Sequence, residues 1–200
     1  CVDLRGALIA PKVKHLAAIT KPKEAGDLLY AIEGFDGYRV THTALRLAAH
    51  LFVRPGELRQ AEWNEFDFNE KIWTIPAEKM KMRRVHAVPL SKQVMTLIED
   101  MRPLSGTHRY LFPAQGKRDR PMCENTINLA LQRIGFGGGR MTAHGFRSMA
   151  STLLNQMKRF HPDVIERQLA HLDTNSIRRI YDRGEHWDER VLMMQIWSDY

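Results

Sequence analysis

Six side chains spread between positions 54 and 181 have the chemical types that attack on a phosphodiester requires. They are Arg54, Lys81, His144, Arg147, His171 and Tyr181. Guanidinium groups match the paired oxygens of a phosphate, imidazole exchanges protons near neutral pH, and a deprotonated phenol is a nucleophile. Neither composition nor periodicity would generate this set. It predicts a tyrosine that attacks a DNA phosphate.

Arg54 stands where an apolar helix stops at Pro55 and Gly56, and a second helix can begin at Pro55. This turn fixes the geometry of the arginine. Glu57 is close enough along the chain to orient the guanidinium or a neighbouring imidazole. A surface helix cap is the alternative explanation for an arginine at such a junction.

The basic residues Lys79, Lys81 and Arg83 alternate, which on a strand edge would place all three on one face of a sheet. Most basic hairpins are simply solvated. A lysine at a hairpin tip can nevertheless follow a DNA backbone and protonate the departing 5′-oxygen, an alkoxide too basic to leave unaided. Lys79 and Lys81 both remain candidates for that lysine.

The segment from Thr142 to Arg147 opens the helix with the clearest apolar stripe, and Thr142 is a suitable N-cap. His144 and Arg147 are three residues apart, so their side chains are neighbours near a terminus whose free N–H groups favour an anion. The glycine loop at 137–139 either places Arg140 close to a ligand or is a flexible connection.

His171 ends a helix that Pro162 can start, where a cap favoured by the helix dipole is the ordinary explanation. Tyr181 would ordinarily lie at the edge of a core. The nearby Arg178 and Arg179 make it a candidate nucleophile, because a phenol titrates near ~10 and needs a base or a cationic pocket at neutral pH.

The 200 residues include 30 Lys and Arg against 23 Asp and Glu, a net charge of +7, and this excess favours a polyanionic partner. No apolar run approaches the roughly 18 residues of a membrane span. Cys1 and Cys123 have neither a C-x-x-C spacing nor the density of a disulfide scaffold, which suits a reducing cytoplasm. No signal peptide is recognisable, and a chain that begins at Cys1 is expected to be part of a longer protein.

Hydrophobic periodicity predicts an α+β fold that is mainly α-helical, a helical bundle with a small three-stranded antiparallel β-sheet. Residues 1–22 are expected to be an interdomain linker and residues 23–200 one domain. Helical stripes are centred on 40–51, 94–101, 127–134 and 146–157. The expected strands are 63–68, 72–75 and 85–88.

A tail helix is expected at about 188–200. Its apolar stripe consists of Met193, Ile196, Trp197 and Tyr200. Such a face either docks on the core of its own domain or covers a neighbouring protomer.

Together these residues resemble the catalytic domain of the tyrosine recombinases, the phage integrase family, along nearly the whole chain. They are most similar to the P4-like integrases of satellite phages and genomic islands. The matching segments are Arg54-Pro55-Gly56-Glu57-Leu58, Lys81 eight residues before Pro89, His144 with Arg147, Leu169-Ala170-His171, Tyr181 and the lead-in Asp3 to Leu8. Ala170 departs from the pattern, since many members carry Gly there.

The resemblance implies a metal-free transesterification without a cofactor, in which Tyr181 forms a 3′-phosphotyrosyl link. Arg54, Arg147 and His171 would hold the nonbridging oxygens. His144 would accept the tyrosine proton, Lys81 would protonate the leaving oxygen and Glu57 would orient Arg54 and His144. The residues expected to contact DNA elsewhere are Lys79, Arg83, Arg84, Arg140, Arg178 and Arg179.

The resemblance also implies the partners. These are double-stranded DNA attachment sites, a homotetramer in the synaptic complex with the tail helix docked in trans, and an excisionase or a DNA-bending host factor. The expected location is the bacterial cytoplasm, in association with the nucleoid.

Three other functions fit parts of the pattern. A type IB topoisomerase shares the chemistry but works as a monomer on nearly any duplex. A noncatalytic DNA-binding module would show the same positive charge. A metal-dependent nuclease is disfavoured, because no His or carboxylate pair has a recognisable ligand spacing.

Overall fold

The computed structural model describes residues 16–117, 119–171 and 186–200. In these ranges the chain is mainly helical, with a three-stranded antiparallel sheet in the order β1, β2, β3. The predicted fold class is confirmed. The helices are α1 (Pro22–Glu33), α2 (Arg39–Leu51), α3 (Pro55–Arg59), α4 (Lys92–Glu99), α5 (Arg102–Ser105), α6 (Thr126–Arg133), α7 (Gly145–Met157), α8 (Pro162–Gln168) and α9 (Trp187–Asp199). The strands are β1 (Phe66–Asp67), β2 (Ile72–Ile75) and β3 (His86–Pro89).

Helix α2 lies at the centre of the bundle, where it packs against α1, α4, α6, α7 and α9. The stripe that it buries consists of Val40, Ala44, Leu47 and Leu51. The helix ends at the buried Phe52, whose backbone is left-handed with φ of 39°. Pro55 then starts α3, so Arg54 lies at the junction of the two helices.

The sheet is anchored by Trp73, which is fully buried and stacks on Phe66 of β1 with ring centroids 5.3 Å apart. The first strand is shorter than predicted because residues 63–65 form a 3-10 turn. The Glu65 carboxylate stabilises this turn by accepting two hydrogen bonds. One comes from the Glu62 N–H at 3.2 Å and the other from the Trp73 indole N–H at 3.0 Å.

The basic residues after β2 are placed differently from the prediction. The strand ends at Ile75, and Pro76, which has no N–H for a β-ladder, leads into a 3-10 turn. Lys79, Lys81 and Arg83 therefore do not alternate along a strand, and the expectation that they share one sheet face is wrong.

The tail helix α9 packs on its own chain. The Trp197 indole N–H donates to the Ala49 carbonyl at 2.9 Å, and the ring meets Phe52 edge-on with centroids 5.9 Å apart. Met193 is fully buried and Ile196 partly so. In this structure the helix therefore covers its own core, which is the first of the two alternatives.

The residues just before α1 contact the core. Ile19 is buried, and the Ala17 carbonyl accepts a hydrogen bond from the Thr142 hydroxyl at 3.2 Å. A Cβ atom on Gly145 would come within 2.6 Å of that carbonyl, so glycine allows an approach that other residues would block. The linker boundary at residue 22 stays a prediction.

Among the residues that the structure describes, no helix is both long enough and apolar enough to cross a membrane.

Candidate active site

Arg54 is held by a buried carboxylate. Its backbone N–H and its Nη1 donate to the two carboxylate oxygens of Glu57, each at 2.8 Å. Glu57 is only 3% exposed and lies in the first turn of α3, where the helix dipole favours a negative charge. Arg54 Nη2 donates to the Ala170 carbonyl at 3.2 Å. The guanidinium is thereby oriented from two sides.

Arg147 extends from α7 into the interior. Its Nη1 donates to the Phe52 carbonyl at 3.0 Å and its Nη2 to the Leu169 carbonyl at 2.6 Å. Burial, with the neighbouring charge of Arg54, lowers the pKa of Arg147 to about 10. The guanidinium still carries its charge at neutral pH, and the two carbonyls offset its desolvation.

His171 bridges Arg147 and an acidic residue that the sequence analysis did not identify. Its Nε2 lies 3.2 Å from Arg147 Nη2, and its Nδ1 lies 2.6 Å from Glu166 Oε2. An ionised carboxylate only accepts hydrogen bonds, so Nδ1 carries a proton in this contact. Glu166 could have been identified from the sequence by its position, because it is an acidic residue in the last turn of the helix that precedes the candidate histidine.

Helix α8 ends in a Schellman turn, the common helix ending in which one residue is left-handed. The His171 N–H donates to the Glu166 carbonyl at 3.0 Å. The Ala170 N–H donates to the Arg167 carbonyl at 3.0 Å. Ala170 itself has φ of 50°. Glycine adopts this conformation without strain, whereas alanine is strained in it.

The carbonyls of the three residues after Arg167 each accept a hydrogen bond from a basic side chain. Those of Gln168, Leu169 and Ala170 accept from His86, Arg147 and Arg54, respectively. Carbonyls at a helix C-terminus lack partners within the helix and carry partial negative charge, so cations are favoured there. Both candidate phosphate-binding arginines are thus held at one helix end.

His144 lies at the start of α7. Partial burial is the main cause that lowers its pKa, and nearby positive charges add to the effect. These charges belong to Arg147, Arg54, His171 and Lys81. The imidazole is therefore neutral at pH 7 and able to accept a proton. The same electrostatic influence indicates that these basic residues share one region, although they come from different elements.

The two candidate lysines differ in their surroundings. Lys79 Nζ donates to the Gln60 carbonyl at 2.7 Å, to Glu62 Oε1 at 2.8 Å and to the Glu65 carboxylate. These three acceptors match the three N–H donors of an ammonium group. Lys81, two residues later, is exposed.

The other predicted DNA contacts are dispersed. Arg83 and Arg84 are exposed beside Lys81. Arg140 is exposed, donates to the Gly135 carbonyl at 2.8 Å and lies 4.4 Å from the centroid of the Phe136 ring. Tyr181, Arg178 and Arg179 lie outside the described residues.

Residues 16–117, 119–171 and 186–200 contain no group of three or more His, Cys, Asp or Glu side chains placed to hold a metal ion.

Comparison with known proteins identifies the class. The phage integrase family matches residues 19–186 of this chain, and the chain belongs to that family. Prophage integrase IntA of Escherichia coli (strain K12) is 40% identical over 198 residues, which are 99% of this chain and 47% of that protein. The integrase of Enterobacteria phage P4 is 38% identical over 212 residues, with 99% and 48% covered. The chain spans about half the length of these relatives.

Solved structures show the same fold at low sequence identity. The integrase from mycobacterium phage Brujita has a TM-score of 0.68 at 17% identity, with 94% of this chain and 59% of that chain covered. A lambda integrase dimer bound to a COC′ core site has a TM-score of 0.63 at 20% identity, with 91% and 53% covered. The family resemblance predicted from the sequence is confirmed.

The Schellman turn generates a stability prediction. Ala170→Gly should raise the free energy of unfolding by about 0.5–1 kcal/mol, because relief of left-handed strain outweighs the greater flexibility of unfolded glycine. Urea denaturation measures this change. Ala170→Val is the matched control and should be destabilising, since a β-branched residue is strained further at positive φ. A less stable glycine variant would contradict the prediction.

Proposed function

We propose that this chain performs site-specific DNA recombination, the integration and excision of a mobile element, through a 3′-phosphotyrosyl intermediate. The observation that carries the proposal is the placement of Arg54 and Arg147 at one helix end, with His171 beside them. Two guanidinium groups and an imidazole suit the charge that spreads over the nonbridging oxygens of a phosphate during transfer. Removal of one such preorganised donor typically lowers the rate by about 10² to 10³.

The nucleophile in this proposal is Tyr181. Its phenol oxygen attacks phosphorus while the bond to the 5′-oxygen breaks, which leaves a 3′-phosphotyrosine and a 5′-hydroxyl. The 5′-hydroxyl of the partner strand then attacks that linkage and releases the tyrosine. One phosphodiester replaces another, so the balance requires no ATP. His144 accepts the phenol proton, because its lowered pKa keeps the imidazole neutral.

Lys81 is the proposed general acid. Lys79 already donates to Gln60, Glu62 and Glu65, and Arg109 donates to Glu62 as well. A lysine in that setting would have to leave two carboxylates to reach a phosphate. We therefore assign Lys79 a structural role, in which its contacts with Gln60, Glu62 and Glu65 stabilise the fold. Lys81 is assigned the transfer of a proton to the 5′-oxygen.

The DNA surface in this proposal includes the exposed basic residues Arg83 and Arg84, which follow Lys81, and Arg140. Together with Arg178 and Arg179 they would contact phosphates of the duplex. Each neutralised phosphate makes the affinity fall by roughly 0.9 log units per log unit of salt. An excisionase or a DNA-bending host factor would act on the same complex.

The proposed assembly is a homotetramer. A lambda integrase, which shares the fold, has been solved as a tetramer bound to a Holliday junction. In our proposal the face of α9 that carries Met193, Ile196 and Trp197 leaves its own core and docks on the equivalent surface of the next protomer. The contacts are the same in cis and in trans, so the exchange requires no new surface.

A covalent trap tests the reaction. The intact protein is incubated in EDTA with a nicked duplex that carries the junction of its own element, so that the cleaved end diffuses away. We expect a denaturation-resistant protein–DNA adduct that Tyr181→Phe abolishes. DNA binding by the variant should persist, since the phenol hydroxyl does not supply the charge. Binding without any adduct from the unaltered protein would refute catalysis and support a DNA-binding module.

Substitution of the leaving oxygen by sulfur distinguishes the two lysines. A 5′-thiolate leaves without protonation, so Lys81→Met should cleave the ordinary duplex poorly and the 5′-phosphorothiolate duplex at nearly the unaltered rate. Lys79→Met should instead lower the unfolding midpoint. Arg84→Met controls for the loss of one exposed positive charge. Full rescue of Lys79→Met, with none for Lys81→Met, would reverse the assignment.

Cysteine crosslinking tests the exchange of α9. The side-chain amides of Gln93 and Gln195 lie 2.9 Å apart. In a background with Cys1→Ser and Cys123→Ser, the Gln93→Cys, Gln195→Cys protein should crosslink within one chain when free and between chains when bound to DNA. Each single cysteine variant is the control. Crosslinks that stay within one chain in the DNA-bound tetramer would rule out docking in trans.

A further inference from the structure

We infer that Glu166 is a positioning residue for catalysis, which acts by holding His171 in the orientation that presents Nε2 to the scissile phosphate. The inference rests on the proposed function, because it assigns a partner to one of the phosphate-binding groups. It adds an acidic side chain that the sequence analysis did not identify.

The contact between the two side chains is short and directional. His171 Nδ1 lies 2.6 Å from Glu166 Oε2, while Nε2 on the opposite side of the ring lies 3.2 Å from Arg147 Nη2. The carboxylate fixes the tautomer in which Nδ1 is protonated and stops rotation of the ring. Nε2 is then held next to the guanidinium that would bind the phosphate.

The backbone reinforces this arrangement. The His171 N–H donates to the Glu166 carbonyl at 3.0 Å, so both the main chains and the side chains of these residues are joined across the turn. The left-handed Ala170 makes this possible, because it folds His171 back over the last turn of α8.

Stability is a weak explanation for the contact. Both side chains are about half exposed, 48% for His171 and 49% for Glu166, and exposed ion pairs add little to the stability of a fold. Glu166 resembles Glu57 in this respect. Glu57 accepts a hydrogen bond from Arg54 Nη1, while the Ala170 carbonyl accepts one from Arg54 Nη2. Two phosphate-binding groups on different elements therefore each have a dedicated carboxylate.

The carboxylate also matches the charge change in the reaction. A doubly protonated ring carries a proton on each nitrogen, so Nε2 would donate to a nonbridging oxygen while Nδ1 still donates to Glu166. The carboxylate would pair with the positive charge of that ring. Removal of Glu166 would leave that charge between Arg147 and the phosphate without its carboxylate.

A double-mutant cycle tests the inference. Single-turnover formation of the Tyr181 adduct is measured at saturating protein for Glu166→Ala, Glu166→Gln, His171→Ala and the double variant. We expect Glu166→Ala to slow adduct formation by about 10- to 100-fold, by analogy with the loss of a group that orients a metal-binding histidine. DNA affinity should be unchanged. In the His171→Ala background, Glu166→Ala should have less than about a twofold further effect.

Controls separate positioning from folding. Glu99→Ala removes a similarly exposed carboxylate from an ion pair with Arg102 and should leave the rate unchanged. Glu166→Gln retains an acceptor without the charge and should be intermediate. An unaltered rate for Glu166→Ala, or an equal loss with and without His171, would overturn the inference. Absence of an adduct from the unaltered protein would instead refute the proposed function, so the two failures are distinguishable.

Discussion

The arrangement of the candidate site depends on the C-terminal end of α8 and the turn that follows it, where three successive carbonyls accept hydrogen bonds from three basic side chains. His86 comes from the sheet, Arg147 from α7 and Arg54 from the start of α3. A helix C-terminus offers carbonyl groups with no partner inside the helix, and its partial negative charge attracts cations. One helix end therefore satisfies its own polar groups and aligns the two arginines of the proposed reaction.

The same turn connects the site to the tail. The Gln168 side chain accepts from Arg190 of α9 at 3.0 Å to Nε and 2.7 Å to Nη2. Burial and the charge of Arg167 lower the pKa of Arg190 to about 10, yet it stays charged at neutral pH. His86, the third basic side chain at this helix end, differs from the arginines. Burial lowers its pKa to about 3, so its ring is neutral at neutral pH. Movement of α9 would thus remove a partner from Gln168, next to the residues that hold Arg147 and Arg54.

Basic side chains occupy two kinds of environment in this protein, and the net charge does not separate them. Lys79 pairs with Glu62 and Glu65, and all three side chains are largely buried, so these pairs stabilise the fold. Arg109 pairs with Glu62 from the surface. Lys81, only two residues after Lys79, is exposed, and its charge is one of those that lower the pKa of His144. The division follows from geometry, since the 3-10 turn after Pro76 directs one lysine inward and leaves the other at the surface.

Local patterns in the sequence were sufficient for the helical stripes, the three short strands and the family, because burial imposes a period on each element and the motif residues keep their spacing. They also identified Arg54, Arg147 and His171 as candidates. Tertiary structure alone decided that the carbonyls of α8 hold the two arginines, that Glu166 faces His171 and that Lys79 is enclosed by two glutamates. These contacts join residues that are distant along the chain or lie across a left-handed turn. A periodic pattern records which face of an element is buried, but it carries no information on which side chain from another element will meet that face.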